Sequence, residues 1–303
     1  MTIEFRGRVA IVTGAGGGLG RQHALALAAR GAKVLVNDLG GARDGTGGSV
    51  SAAEAVVAEI RAAGGEAIAN SASVTDFTAV QAMVQQAMTA WGRIDILVNN
   101  AGILRDKTFA KMELADFQTV LDVHLMGAVH CTKAVWPIMT TQKYGRILMT
   151  TSSTGLFGNF GQTNYGAAKM ALVGLMQTLA LEGAKNDIRV NCLAPTASTR
   201  MTQDLMPQAV LDSLKPEAVV PAMLVLVSDA APTRTILCAG AGTFEAAHIT
   251  MTSGVWIGTD QQAPERLAEQ LGKVCDRAGN SVPPNGAAQG GNELAKAMEG
   301  LSR

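Results

Sequence analysis

Tyr165 and Lys169 lie four residues apart, and Ser152 lies thirteen residues before the tyrosine. On a helix the first spacing puts both side chains on one face. Ser152 follows an apolar run, RILMTT, that reads as a strand. The stretch from there to Tyr165 is rich in Gly, Asn and Ser, as loops are, so a fold can return the serine to the tyrosine. A phenol ordinarily ionises with a pKa of about 10. An ammonium beside it favours the phenolate, each unit of lowering being about 1.4 kcal/mol. Such a tyrosine gives a proton to a carbonyl oxygen, or takes one from an alcohol, near neutral pH. A serine hydroxyl can hold the same oxygen. The trio therefore suits carbonyl–alcohol interconversion, given a hydride donor or acceptor nearby. A YxxxK pattern alone is common on surface helices, so the surrounding elements must decide.

Residues 8–13, RVAIVT, are β-branched and continuously apolar, the pattern of a strand buried on both faces. They run into a glycine turn carrying Gly14, Gly18 and Gly20, then a helical pattern, then a second apolar strand, KVLVND. A strand, glycine turn, helix and strand of about thirty residues make the mononucleotide-binding half of a Rossmann-like fold. The GxxxGxG spacing is a variant of GxGxxG with the same mechanism. Backbone without Cβ approaches a pyrophosphate, and the helix N-terminus offers free N–H groups. Asp38 closes the second strand, where a carboxylate accepts hydrogen bonds from ribose hydroxyls and repels a 2′-phosphate, which favours NAD over NADP. Arg43, close by in sequence, weighs the other way.

Residues 39–50 read as a glycine-rich loop, 51–64 as a helix, 66–74 as a third strand and 76–91 as a helix capped by Asp76. A strand over 94–98 leads into Asn99-Asn100-Ala101-Gly102, a turn at the sheet edge where open α/β folds bind ligands. A long helix or helix pair over 113–140 contains His124, which its residue type and neighbours leave as a core or surface histidine. A strand over 145–151, the Tyr165 helix over 164–184 and a strand ending at Pro195 follow. Residues 196–221, with Met201, Met206, Pro207 and Pro216, break pattern and read as a mobile cover over an apolar ligand or as irregular surface. A helix over 218–228, a last strand with its turn over 235–250, a helix over 263–278, a Gly/Pro/Asn-rich linker over 279–292 and a short final helix over 293–300 complete the chain. The expected organisation is a doubly wound parallel α/β sheet of about seven strands with helices on both faces, over residues 1–258, and a C-terminal extension over 259–303.

Composition removes other classes. The 303 residues are 48 % hydrophobic and 17 % charged, enough apolar content for a sizeable core. Lys plus Arg and Asp plus Glu balance at 25 each, which gives no electrostatic reason to expect nucleic acid or an anionic membrane as partner. Cys131, Cys192, Cys238 and Cys275 are widely spaced, so buried free thiols are expected and a metal site is not. The opening MTIEFRGRVAIVTG has no signal-peptide core, no apolar run has membrane length, and the last residues are not Ser-Lys-Leu. A cytoplasmic protein is the expectation.

With the glycine turn, Asp38, NNAG, Ser152, Tyr165 and Lys169 in this order, the chain resembles the short-chain dehydrogenase/reductase family. The resemblance implies Tyr165 as acid/base, Lys169 as its tuner and nicotinamide-ribose ligand, and Ser152 as holder of the substrate oxygen. It implies an NAD site built from Gly14, Gly18, Leu19, Gly20, Asp38, Ser73, Val74, Asn100, Ala101, Gly102, Tyr165, Lys169 and Pro195, with Asn99 also at the cleft. His124 stands where the family often has an asparagine that links the lysine to solvent through water, and Thr196 where it has a glycine. Within the family, VNNAGILRDK at 98–107, VHLMGA at 123–128 and GNFGQTNYGAAK at 158–169 resemble the (3R)-hydroxyacyl-CoA dehydrogenases found as one portion of type 2 peroxisomal multifunctional enzymes. That subgroup also has histidine at the place of His124, so the departure does not argue for inactivity, and in the implied reaction His124 keeps a water in the relay to Lys169. The implied reaction is NAD-dependent oxidation of a (3R)-hydroxyacyl-CoA to the 3-oxoacyl-CoA in a homodimer or homotetramer. A hydroxysteroid or other secondary alcohol as substrate, and a non-catalytic NAD-binding sensor, remain the alternatives. Departures from the subgroup gather at 229–262.

Overall fold

The computed structural model describes residues 2–42, 44–198 and 208–301. Arg43, Met201, Met206 and Pro207 lie outside them. Two units are distinguished, Met1–Ala246 and Ala247–Arg303.

The first unit alternates strand and helix. Its elements are β1 (Val9–Thr13), α1 (Gly18–Ala29), β2 (Lys33–Asn37), α2 (Ser51–Ala62), β3 (Glu66–Asn70), α3 (Phe77–Trp91) and β4 (Ile96–Asn99). Then come α4 (Leu114–Leu121), α5 (Gly127–Gln142), β5 (Gly145–Thr150), α6 (Ser153–Phe157), α7 (Thr163–Gly183) and β6 (Ile188–Thr196). Last are α8 (Gln208–Ser213), α9 (Val220–Leu226), β7 (Ile236–Gly240) and β8 (Thr243–Ala247). The sheet order is β3-β2-β1-β4-β5-β6-β7-β8, with parallel pairing from β3 through β7. The order reverses between β1 and β4, the position where open α/β sheets leave a crevice at their carboxyl edge.

Strand alternation explains the two cores. Ala10 and Val12 of β1, with Val34 and Val36 of β2, pack in one cluster with Ala24 and Leu27 of α1, Val56 and Ile60 of α2, and Met223 of α9. Val9, Ile11 and Leu35 point the other way and are equally buried, on the side of α3, α5 and α7. Each fully buried Val, Leu, Ile or Met here contributes about 1.5–3 kcal/mol on burial. At the amino ends of the strands charges are knitted together. Asp95, fully buried, accepts from Val9 N at 2.9 Å and pairs with Arg8 and Arg93. Arg146, also buried, donates to the carbonyls of Ser228 and Asp187.

Several elements differ from expectation. β3 stops at Asn70, because its side-chain Oδ1 accepts Ala72 N at 2.8 Å and turns the chain away before 74. The helix pair over 113–140 is joined by a π-helical turn, Asp122–Met126, which carries His124. The loop after β5 holds a short helix, α6, with Ser152 as N-cap. The last strand is a hairpin, so the sheet has eight strands rather than about seven. Its two-residue turn, Ala241-Gly242, has positive φ at both positions, +50° and +77°, the twist that two-residue hairpins require.

In the second unit, α10 (Ala263–Val274) is preceded by irregular chain that pairs within the unit. Met251 and Ser281 exchange backbone hydrogen bonds at 2.9 and 3.1 Å, and the Thr252 hydroxyl donates to Val274 O at 2.8 Å. These contacts explain why the division falls at 246/247 and not at 258/259. α11 (Ala287–Leu301) begins inside the expected linker, because Asn285 Oδ1 accepts Ala287 N at 3.0 Å and starts the helix there. Among the described residues no helix is long and apolar enough to cross a membrane, and no group of His, Cys, Asp and Glu is placed to hold a metal ion.

Candidate active site

The carboxyl ends of β1, β2, β4, β5 and β6 surround a cavity of about 610 Å³. Gly14, Gly18 and Leu19 line one part of it and Asp38, Ser73 and Val74 the next. Asn100, Ala101, Gly102 and Pro195 form further wall, and Ser152, Tyr165 and Lys169 stand at the inner end.

Three expected residues are elsewhere. Gly20 is buried behind the turn, where a Cβ would meet Gly14 O at 2.2 Å, so its role is to let α1 pack against β1. Asn99 and His124 belong to a separate space of about 10 Å³, which Lys169 also lines. Asn99 misses the main cavity because neighbouring residues of a strand point to opposite faces. Its Nδ2 donates toward Thr132 Oγ1 and Met149 Sδ, both at 3.3 Å. Asn100 takes the outward place and holds the glycine turn, its Nδ2 donating to Thr13 O and Gly14 O, both at 3.0 Å.

The turn fits a dinucleotide. Gly14 has φ +63°, and a Cβ there would lie 2.7 Å from Ala101 Cα. The N-cap of α1 is Gly17, which offers no side-chain acceptor, so the first-turn amides keep their hydrogen-bonding capacity for a phosphate. Asp38 is held before any ribose arrives: Oδ2 accepts Gly16 N at 2.7 Å and Oδ1 accepts Gly40 N at 2.6 Å.

At the inner end, α7 presents Tyr165 and Lys169 together, as their spacing predicts. Lys169 Nζ donates to Thr150 O at 2.5 Å and lies 5.5 Å from the Tyr165 ring centre. Burial draws its ammonium down from the usual 10.5 to about 7. Tyr165 differs from expectation. Its pKa is raised, chiefly by burial and further by the Asp106 carboxylate, against which a hydrogen bond with the Ser152 hydroxyl pulls downward. Burial weakens the lysine charge that would otherwise favour a phenolate, and one of its three N–H groups is held by Thr150 O. The arrangement therefore rests as a protonated phenol beside an amine that titrates near neutrality.

His124 meets Tyr165 edge-on, ring centres 5.2 Å apart. Its Nε2 lies 2.8 Å from Ile103 O, and burial together with the Lys169 charge keeps the imidazole neutral, well below its usual pKa. Nδ1 is left facing protein interior without a partner, as is Asn99 Oδ1. The 10 Å³ space these residues share with Lys169 is close to the room one water needs.

Sequence reasoning passed over Gln162, Thr154 and Asp106. Gln162 and Thr154 line the cavity. Thr154 N donates to Ser152 Oγ at 3.2 Å, its Oγ1 donates to Gln162 Oε1 at 2.9 Å, and Gln162 Nε2 donates to Asp106 Oδ2 at 2.7 Å. The tie to Asp106 spans fifty-six residues, and no local pattern signals it. Gln162, three residues before the tyrosine, was within reach of a motif reading.

Comparison with known proteins gives a consistent result. Residues 8–209 match the family model of the short chain dehydrogenases. A short-chain type dehydrogenase/reductase of Mycobacterium tuberculosis is 55 % identical over 222 residues, which is 73 % of this chain and 78 % of that protein. Peroxisomal multifunctional enzyme type 2 of Mus musculus is 46 % identical over 93 % of this chain, which spans only 38 % of the mouse protein's length. The structure of full-length peroxisomal multifunctional enzyme type 2 from Drosophila melanogaster superimposes with a TM-score of 0.81 at 36 % identity, over 99 % of this chain and 51 % of that one.

Proposed function

The chain belongs to the short chain dehydrogenase family, whose members act on CH–OH groups, and from that premise we propose that it oxidises the C3 hydroxyl of a (3R)-hydroxyacyl-CoA with NAD. The observation that carries the chemistry is one cavity lined at its inner end by Ser152, Tyr165 and Lys169 and along its length by the glycine turn and Asp38. The substrate class is supported by likeness to the multifunctional enzymes along nearly the whole chain.

Bound NAD would supply the acceptor for the hydride that leaves the carbinol carbon. Gly14, Gly18 and Leu19 would hold its pyrophosphate at the start of α1, Asp38 its adenosine ribose, and Lys169 its nicotinamide ribose. Ser152 Oγ holds the substrate hydroxyl and Tyr165 Oη takes its proton. Lys169 Nζ, poised near neutral pH, sets the charge beside the phenol. His124 and Asn99 keep a water against Lys169, through which the proton leaves toward solvent.

The test is the initial rate of NADH formation with (3R)- and (3S)-hydroxyacyl-CoAs of several chain lengths, repeated with NADP. Turnover of the 3R series alone, faster with NAD, is the expected result. NAD binding without turnover of either series would overturn the substrate and send the search to steroids and other bulky secondary alcohols. Asp38→Ala should raise the KM for NAD by about tenfold or more, the usual effect of losing a hydrogen bond to a charged group. It should also narrow the preference over NADP. An unchanged ratio of kcat/KM for the two cofactors would place cofactor choice elsewhere.

A further inference from the structure

Gln162 stands at the amino end of the catalytic helix with its hydrogen bonds nearly all assigned. Its Oε1 accepts Thr154 Oγ1 at 2.9 Å and Asn159 Nδ2 at 3.0 Å. One N–H of its amide donates to Asp106 Oδ2 at 2.7 Å. A side-chain amide has two acceptor positions and two donors. Both acceptors and one donor are used, and a single N–H remains on a residue that lines the cavity. The orientation is forced: the reverse placement would set amide oxygen against the Asp106 carboxylate and nitrogen against Asn159 Nδ2. The backbone is pinned as well, Gly166 N donating to Gln162 O at 2.7 Å while Lys107 and Gln162 form a parallel bridge. Asn164, fully buried, donates to Arg105 O at 3.0 Å, so residues 105–107 are tied to the first turn of α7 on both sides of Asp106.

The amide is linked through Thr154 to the serine that would hold the reacting oxygen. Ser152 Oγ accepts Thr154 N at 3.2 Å, and the hydroxyl of that threonine reaches Gln162. A hydroxyacyl thioester carries a carbonyl two bonds along the acyl chain from its carbinol carbon. Building on the hydroxyacyl-CoA reading above, we propose that Gln162 reads this thioester carbonyl through its remaining N–H and that Asp106 is the positioning residue that aims it. The charge of Asp106 adds selectivity. A neutral carbonyl is accepted in front of it, whereas the carboxylate of a free 3-hydroxy acid is repelled. Gln162 is then a specificity determinant that separates acyl thioesters from plain secondary alcohols and from free acids.

The test compares kcat/KM for a (3R)-hydroxyacyl-CoA and for its thioether analogue, in which CH₂ replaces the thioester carbonyl, in wild type and in Gln162→Met. Where the analogue does not turn over, its inhibition constant is used against that of the 3-oxoacyl-CoA. Deleting the carbonyl should weaken the wild type about tenfold more than it weakens Gln162→Met, the scale of one neutral hydrogen bond. Equal losses in both proteins would overturn the assignment. Asp106→Asn, nearly the same in shape, should lower the preference for thioester over free acid several-fold at unchanged NADH affinity. This variant decides the matter if Gln162→Met does not fold, and an unchanged preference overturns the proposal. No wild-type turnover of any hydroxyacyl-CoA overturns the proposed function and this inference together. Turnover with equal carbonyl dependence overturns this inference alone.

Discussion

Tyr165→Phe should lower turnover by about 10³-fold or more at neutral pH and leave NADH affinity within about twofold, the range expected when a positioned proton-transfer group is removed. The substitution deletes one oxygen. The ring keeps its edge contact with His124 and its place beside Ile103, Val120 and Ala168, so the fold and the cofactor walls persist. What goes is the partner of the Ser152 hydroxyl and the atom that exchanges the proton. The pH dependence of the wild type follows from the raised phenol pKa. Oxidation needs the phenolate, so its rate climbs as pH rises toward the phenol's ionisation. Carbonyl reduction uses the protonated phenol, which is present throughout the neutral range, so that direction stays flat there. Both profiles, with a fluorescence titration of NADH, form the check. Wild-type turnover in Tyr165→Phe would sink the mechanism.

Lys169→Met should abolish most activity and yet stabilise the protein, most strongly in acid. Burial lowers the lysine pKa from 10.5 to about 7 in the folded state. Below about pH 7 the group is protonated whether folded or unfolded, and the fold holds a buried charge at full cost. The shift corresponds to several kcal/mol on an order-of-magnitude basis, at about 1.4 kcal/mol per unit. Between pH 7 and 10.5 the unfolded chain binds the extra proton, so wild-type stability rises with pH. A methionine escapes that cost but leaves Thr150 O without its donor, a loss of about 1–3 kcal/mol. The net gain at pH 6 is therefore about 2–4 kcal/mol, the remainder of these two terms. It shrinks, and can reverse, toward pH 10. Urea unfolding at pH 6 and pH 9 reads this directly. A variant less stable than wild type at pH 6 would show that the lysine is not strained by its burial.

Much of this site was legible because its signals are local. The strand around Val12, the glycines after it, Asp38 at the end of β2 and the four-residue step from Tyr165 to Lys169 are each set by a short periodicity. What escaped depends on distance or on small angles. Asn99 and Asn100 look alike in sequence, yet one braces the interior and the other holds the glycine turn. The turn after β7 is legible from Gly240 and Gly242, but β8 is not, because its residues are almost all exposed and carry no buried alternation. α11 was read as starting late because glycines and asparagine surround a cap that works through Asn285. The electrostatics were misjudged for a related reason. Proximity of an amine to a phenol is visible in a motif, whereas burial of both is a property of the whole core.

The order of strands across the sheet bears on how the chain assembles as it is made. β2 and β3 extend one side of β1, and β4 to β8 then extend the other in their order of synthesis. No strand has to be inserted between two that are already paired. Each one adds to a free edge of the sheet, β4 to the open side of β1 and every other strand to the one made just before it. The glycine turn and Asp38 emerge 127 residues ahead of Tyr165 (165 − 38), an interval of roughly 10 s at ordinary elongation rates. The nucleotide half of the cleft thus has time to form before the residues that would use it exist.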